Sequence, residues 1–260
     1  MRRSSFIAIL FMLFASTSKA QVVNIEGRRN YDHITGWFGS VDAGFSMVQN
    51  KNLLLSASFR PKVQYKTKNH YFLFLTDWMY SKGKDQVYAN TGMAHFRYAY
   101  RLGNHKDTTK LSPWKWESYA QVQYNQLLDQ RIRTLAGSGF RVKVFGKEKV
   151  RLFVGSSAFF EYEELRSSQI ILQNVRWSNY VSWNISPNDH FLFSGAFYYQ
   201  PRIDKFADYR VMGQYEMSFK IFKRVDFRVD FTHFYDAVPP ANVRSFVFSS
   251  SAGLKVRIGK

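Results

Sequence analysis

The sequence predicts an all-β protein: a single transmembrane antiparallel β-barrel of about 12 strands behind a cleaved N-terminal signal peptide. Runs in which every second residue is apolar or aromatic recur about every twenty residues from Gly36 to Lys260, between breaks of Gly, Pro, Asn, Asp or Lys. An export signal precedes them, and the apolar residues are spread by alternation. Since side chains alternate across a strand, each run forms a ribbon with one apolar and one polar side. Many such ribbons are typical of a membrane barrel.

The N-terminus has the three parts of a secretory signal peptide. Arg2 and Arg3 provide the positive start, residues 7–15 the apolar core, and residues 18–20 a small-x-small cleavage site. A membrane-spanning helix is the alternative, but it needs about 20 apolar residues and this core has roughly half as many. We therefore divide the chain into a signal peptide at 1–20, a short periplasmic segment at 21–34 and the barrel at 35–260.

Composition agrees with export and narrows the fold class. The chain has no cysteine, which excludes a disulfide framework and a thiolate metal site. Hydrophobic residues make up 45%, yet the mature chain contains no long apolar stretch, which excludes an inner-membrane helical bundle. A soluble β-sandwich is the competing fold. Such a sandwich would rarely need 25 Phe and 16 Tyr, so the composition favours the barrel.

Twelve runs are long enough to cross a membrane as tilted strands, which need roughly 9 to 11 residues each. An even number returns both termini to one side, which we expect to be the periplasm. Short periplasmic turns should then alternate with longer outer loops, and the long charged segment Gly103–Pro113 is an exception. The predicted strands are 36–48, 53–66, 70–82, 86–101, 114–128, 131–144, 150–164, 170–186, 190–202, 207–223, 225–236 and 242–258.

Alternation assigns the two faces of the clearest strands. In the eighth strand, Val175, Trp177 and Val181 point to lipid, and the even-numbered residues point inward. In the eleventh, odd-numbered apolar residues face lipid, because a charge at the lipid-facing midplane costs about 2–4 kcal/mol. The third strand is apolar on both faces. Asp77 decides its orientation and turns Leu73 and Leu75 inward with it.

The lumen is expected to be basic, because Lys and Arg number 37 against 19 Asp and Glu, a formal net charge of +18. Such a lumen would attract anions and repel cations. The competing interpretation is that these basic side chains pair with acids across a filled barrel, or contact lipopolysaccharide phosphates near the rims. The lumen-facing basic candidates are Arg60, Lys62, Arg97, Arg133, Arg141, Arg176 and Arg228. The lumen-facing acidic candidates are Asp42, Asp77, Glu117, Asp226 and Asp230.

Aromatic residues are predicted to form girdles at the two headgroup levels, where Tyr and Trp keep the ring in lipid and the polar atom in water. They lie near strand ends, on the faces assigned to lipid. General enrichment of aromatic residues in strands is the competing explanation. The interface candidates are Trp37, Tyr65, Tyr98, Tyr100, Trp116, Trp183, Tyr199 and Tyr235.

No catalytic constellation is visible, so we expect neither an enzyme nor a metal or cofactor site. The sequence has no zinc-protease helix, nucleophile elbow or phosphate-binding glycine loop. Its six histidines occur singly; His95 is predicted to face the lumen beside Arg97. The acids Glu163 and Glu164 are expected in a solvated outer loop.

Several stretches resemble a Gram-negative family of unknown function sometimes called salt-induced outer-membrane proteins. The resemblance spans about residues 30–260 and rests on the stretches 36–45, 88–98, 116–124, 135–141 and 155–164. It implies an outer-membrane barrel with no assigned activity and no catalytic residues to transfer. The chain ends in Val-Arg-Ile-Gly-Lys260, whereas outer-membrane barrels commonly end on an aromatic residue.

Two functional hypotheses are favoured over a third, a barrel enzyme acting on lipid, because the sequence lacks a pair of nucleophile and base. The first is a structural or envelope-stress barrel with a largely filled, basic lumen. The second is a narrow, anion-favouring diffusion channel for small or acidic solutes. Both place the protein in the outer membrane, with outer-membrane lipid, lipopolysaccharide and the barrel assembly machinery as partners. Small anionic solutes are further candidate partners, and nucleic acid is not expected as one.

Overall fold

The chain forms one closed antiparallel barrel of twelve strands, in which the first strand pairs with the last. The structure is a computed structural model that describes residues 35–49, 53–83, 86–103, 112–147, 149–241 and 243–258. The predicted signal peptide and the segment 21–34 lie outside these ranges. The predicted fold class, an antiparallel barrel of about 12 strands, is confirmed.

Each strand pairs with its neighbours in sequence, and the β1–β12 pair closes the sheet at Gly39–Ile258. Closure leaves no free edge, so the backbone can satisfy its hydrogen bonds within the wall. The strands are β1 (Gly36–Gln49), β2 (Leu53–Lys66), β3 (His70–Lys82), β4 (Val87–Arg101), β5 (Trp114–Asn125), β6 (Gln130–Lys147), β7 (Val150–Leu165), β8 (Ile171–Asn188), β9 (Phe191–Pro201), β10 (Tyr209–Phe222), β11 (Val225–Asp236) and β12 (Phe246–Ile258).

The up-and-down order gives the barrel two distinct ends. The terminal end carries the start of β1, the end of β12 and the even-to-odd connections, three of which are only two residues long. The opposite end carries the odd-to-even connections, which lengthen along the chain up to residues 237–245 between β11 and β12. The connection between β4 and β5 is the expected long exception at the terminal end.

The assigned faces are confirmed where the sequence allowed an assignment. Leu73 and Leu75 are fully buried beside Asp77, whereas Phe72 and Phe74 of the same strand are exposed. In β8 and β11 the even-numbered side chains are buried along most of the strand. The reason is physical: the outer face must suit lipid, so polar side chains of an alternating strand turn into the lumen.

The main differences from the predicted strands lie at the opposite end. The strand predicted at 114–128 ends at Asn125, because its side-chain oxygen accepts hydrogen bonds from the amides of Leu127 and Leu128 and starts a 3₁₀ turn at Gln126–Leu128. Gln130–Ile132 opposite β7 contains a register shift. Within the described residues, no helix is long and apolar enough to cross a membrane.

Candidate functional site: the lumen and its two ends

All twelve charged candidates predicted to face the lumen are buried, each at most 8% exposed. Burial in a barrel whose outer face is apolar places these side chains in the interior. Because removing a charge from water costs several kcal/mol per ion, their partners decide what the lumen can do.

The first cluster joins four strands through Arg60 of β2. Its Nε lies 3.2 Å from Asp77 of β3, and its Nη1 lies 3.2 Å from Asp230 of β11. Arg228 contacts Asp230 as well, and its Nε lies 3.6 Å from Asp42 of β1. Since β1 and β12 separate β2 from β11, the Arg60–Asp230 pair spans the inside of the wall.

A second cluster surrounds Glu117 of β5. Arg97 of β4 donates to its Oε2 at 3.3 Å, and the hydroxyl of Tyr180 donates to the same oxygen at 3.0 Å. Tyr180 lies on β8, three strands away, so this bond also crosses lumen space. Arg141 stacks its guanidinium 3.9 Å from the ring centre of Phe153.

The third and densest cluster centres on Arg210 of β10, which the sequence reasoning did not single out. Its Nη1 lies 3.0 Å from Glu161 and its Nη2 lies 3.1 Å from Glu163, both on β7. Its Nε donates to Asp236 of β11 at 2.8 Å. The expectation that Glu163 is solvated in a loop is therefore wrong: Glu163 lies within β7, on the same inward face as Glu161, and is 1% exposed.

Glu161 receives two more arginines. Arg133 of β6 lies 2.7 Å from its Oε2, and Arg176 of β8 lies 2.7 Å from its Oε1. Arg176 also pairs with Asp208, whose Oδ1 lies 2.9 Å from its Nη2. Asp236 is an acid that the sequence analysis missed. It could have been found there, because the even-numbered residues of β11 face inward from Asp226 onward. Asp208 precedes β10 in a connection, where parity gives no signal.

The fully buried charges are balanced, so the expected excess of positive charge does not lie in the most buried part of the lumen. Among the described residues, nine Lys and Arg side chains and ten Asp and Glu side chains are buried. The buried acids include Glu163, which was expected to be solvated, and Asp208 and Asp236, which were not assigned. The fully buried part of the lumen is therefore a network of ion pairs with no excess of positive charge.

The positive charge is instead found at the terminal end. We call its side chains that are not buried, and that lie in the connections and chain ends or within five residues of them, the basic rim. Among described residues it includes twelve cations and one acid, Asp189. At the opposite end the same criterion gives six cations and three acids. The cations of the basic rim are Lys66, Lys68, Arg101, Lys115, Lys143, Lys147, Lys149, Arg151, Lys220, Lys223, Arg224 and Arg257.

An apolar cluster crosses the lumen at the opposite end. Leu128, from the 3₁₀ turn between β5 and β6, forms a buried cluster with Phe234 of β11. These strands are six positions apart in the closed order of twelve, so the turn reaches across the barrel. The partly buried residues that pack against the pair are Leu127, Met212, Val243 and Val247. We use "lid" for the turn Gln126–Leu128 with this cluster.

A directional chain of side-chain hydrogen bonds runs along the wall below the lid. Nδ1 of His95 lies 2.9 Å from Oε1 of Gln121, whose Nε2 donates to Gln123 at 2.5 Å. Gln123 donates to Gln130 at 2.7 Å, and Gln130 donates to Glu163 at 2.8 Å. Because Gln121 Oε1 can only accept, His95 Nδ1 carries a proton. The chain links the wall to the Arg210 cluster.

The predicted interface aromatics lie on the outer face, each in contact with another aromatic ring. Trp37 is 69% exposed, and its ring centre lies 4.9 Å from that of Tyr65. Tyr98 makes an edge contact with Trp116, at 6.0 Å. Tyr100 contacts the ring of His70, Trp183 contacts Phe193, and Tyr199 and Tyr235 both contact Tyr209. Their positions relative to the headgroups remain a prediction.

The loop between β9 and β10 carries an exposed ion pair. The Arg202 guanidinium hydrogen-bonds the carboxylate of Asp204 at 2.5 Å and lowers the pKa of that carboxyl below its usual value. Across the described ranges, no group of three or more His, Cys, Asp or Glu side chains is placed to hold a metal ion.

A closed antiparallel barrel with an apolar outer face and a polar, charged interior is the architecture of outer-membrane β-barrel proteins. The chain belongs to the family described as "Protein of unknown function, DUF481", which matches residues 41–257. No curated protein matches the sequence. The expected membership of a barrel family without assigned activity is thereby confirmed.

Solved structures of a porin and of an outer membrane channel are similar to this chain at low identity. The NanC porin aligns with a TM-score of 0.51 and 7% identity, over 85% of this chain and all of that one. The COG4313 outer membrane channel from Pseudomonas putida F1 aligns with a TM-score of 0.46 and 11% identity, over 92% of this chain and 98% of that one.

Proposed function

We propose that this protein is an integral outer-membrane barrel with a structural or envelope-stress role, and that its lumen is closed at rest. In this proposal both termini lie in the periplasm, so the basic rim faces the periplasm and the lid faces outward. The balanced ion pairs and the apolar lid support closure, since an open pore would keep its inward charges hydrated.

The contact that carries the proposal is Arg210 with Glu161 and Glu163. It joins β10 to β7 through the lumen, at 3.0 and 3.1 Å. Both acids are at most 1% exposed, and Arg210 is 4% exposed. A charged side chain that deep and that fully paired occupies space that a permeating ion would need. The Arg60–Asp230 pair supports the same conclusion on the other side of the barrel.

A narrow, anion-favouring diffusion channel is the second candidate. The basic rim favours it, because twelve cations at one mouth would concentrate small anionic or acidic solutes there. The shared fold with the NanC porin is compatible with it. In this alternative, the rim provides the selectivity and the ion pairs of the lumen must rearrange to let a solute pass.

Recording currents from the purified protein in planar bilayers separates the two candidates. The closed barrel predicts no sustained unit conductance at moderate voltage in 1 M KCl. A steady current with anion preference would overturn closure and support the channel. Folding is checked on the same sample by gel migration, which should differ between unheated and boiled protein.

The rims also suggest lipid partners. Cations at either end can contact the phosphates of lipid headgroups, including lipopolysaccharide at the outer side, by charge-assisted hydrogen bonds. We propose the barrel assembly machinery as the partner during insertion, as for other barrels of this architecture. Crosslinking from engineered residues in β12 during assembly would test that partner, and an absence of crosslinks to its components would argue against it.

A further inference from the structure

A cavity of about 100 Å³ lies inside the barrel, below the lid. One water molecule needs about 10–15 Å³ of such space, so the cavity has room for several. Most of its polar lining is uncharged. The neutral polar side chains at its wall include Thr91, Gln121, Gln123, Gln130, Ser178 and Gln200.

Gln200 of β9 lines this space and has an open acceptor. The residue is 7% exposed, and its Nε2 donates to Ser178 Oγ at 3.0 Å. Among the described residues its Oε1 has no hydrogen-bond partner, although it is buried. Leaving a buried acceptor unsatisfied costs about 1–3 kcal/mol, so a donor from a bound molecule would stabilise it.

The charged groups at the cavity are already neutralised. Asp77 is paired with Arg60 at 3.2 Å, and Arg97 with Glu117 at 3.3 Å. Arg133 is paired with Glu161, at 2.7 Å. An ionic ligand would have to leave water and break one of these pairs, which is costly. The lining therefore selects against anions and cations alike.

Amide side chains suit a ligand that can both donate and accept. Gln121, Gln123 and Gln130 each use one N–H in the chain described above, and each amide nitrogen carries a second N–H that a hydroxyl group can accept. The rings of Tyr119 and Phe159 also line the cavity and present apolar surface for carbon-bound hydrogens. We propose that the cavity is a binding site for a small, uncharged polyol of about glycerol's size, held by Gln200 and by the glutamines of β5 and β6.

Two methionines at the cavity provide a direct readout. Met93 and Met212 line it, whereas Met217 lies on the outer face of β10. The full-length mature barrel, labelled with ¹³C at the methionine methyl groups, is titrated with glycerol in detergent micelles. We expect saturable shifts of the Met93 and Met212 signals, no saturable shift of Met217, and none from sodium acetate.

The variant Gln200→Met removes the open acceptor while keeping the side-chain volume. We expect its apparent Kd for glycerol to rise about tenfold, the equivalent of one good hydrogen bond. Gln173→Met, on the exposed face of β8, should leave the Kd unchanged. Thr91→Val is the second test if Gln200→Met fails to give a heat-modifiable band.

Shifts that grow linearly with glycerol, equal shifts at Met217, or an unchanged Kd in the folded cavity variants would overturn the proposal. A saturable response to acetate would overturn the assignment of a neutral ligand. None of these readouts depends on conductance, so a failure here leaves the closed-barrel function untouched.

Discussion

Single residues in this lumen show how a narrow barrel can bury many charges. Glu161 is fully buried, and its carboxylate oxygens lie within 3.0 Å of three arginines, Arg133, Arg176 and Arg210. The surplus positive charge around it is balanced by further acids, including Glu163. Each ion has left water at a cost of several kcal/mol, which only several good partners can offset. Removing one partner should therefore cost far more than removing an exposed ion pair.

Arg210→Met is the sharpest test of this network. It leaves three buried carboxylates short of a partner, and breaking a buried pair typically costs about 3–5 kcal/mol. Unfolding in urea from lipid vesicles should show a loss of that size. The matched control is Arg131→Met, whose side chain is 61% exposed and pairs with Glu164. This control should lower the free energy of unfolding by no more than about 1 kcal/mol. Equal losses would show that the Arg210 contacts do not stabilise the barrel.

Gly155 on β7 is needed for close packing rather than for backbone freedom. A Cβ atom added there would lie 2.2 Å from Cε1 of Tyr180, so the ring would have to move. Movement would also break the bond from Tyr180 to Glu117. We expect Gly155→Ala to destabilise the barrel by about 1–3 kcal/mol, the usual cost of overpacking.

Gly39→Ala is the control for that substitution, because its nearest contact would be 3.3 Å from the added atom. Both variants are compared by urea unfolding. If Gly155→Ala leaves the free energy of unfolding nearly unchanged, the Tyr180 ring can take another position at little cost.

At the scale of elements, alternation predicts the interior of a strand well and its ends poorly. Most strand bounds and the inward acids of β11 follow from the alternation, because a charge on the lipid-facing side of a strand is destabilising. Three features escape it. A register shift at Gln130–Ile132 exposes Arg131, β7 keeps Glu163 in its buried face where a solvated loop was expected, and Asn125 caps a turn where Leu127 and Leu128 were predicted as strand. The first two depend on contacts between strands and the third on a side-chain bond to the backbone, none of which the alternation contains.

The lid is the element whose role is most directly testable, because the chain has no cysteine of its own. In Ser178→Cys, a single thiol lies at the cavity below the lid. Leu127→Ser combined with Leu128→Ser weakens the apolar contact with Phe234 and should admit water. We expect maleimide labelling of the thiol to speed up at least tenfold.

Gln126→Ser, in the same turn, is the matched control and should leave the labelling rate near that of the parent. Fast labelling of the parent itself would show that the lid does not seal the cavity. Heat-modifiable migration confirms that each variant is folded before its rate is compared.

At the scale of the whole molecule, charge is sorted along the barrel axis. The interior is balanced, the opposite end mixes both signs, and the terminal end collects cations. The net charge of +18 suggested a basic interior because composition does not tell which acidic side chains are buried. Ten of the acids are drawn inside, where arginines need partners, and this leaves the terminal end positive. That end therefore has the strongest attraction for anionic lipid headgroups.

Stability should consequently depend on anionic lipid through the basic rim. A cation near an anionic membrane surface gains about 1 kcal/mol, and salt screens the gain. The barrel should unfold at higher urea in vesicles containing phosphatidylglycerol than in phosphatidylcholine alone, and 1 M salt should remove the difference. Replacing Lys147, Lys149 and Lys223 by Gln should remove most of it at low salt. The same change at Arg131, Arg166 and Arg202 should remove less, because Arg131 and Arg202 already pair with acids. Equal effects of the two triple variants would show that the sorting of charge has no consequence for lipid contact.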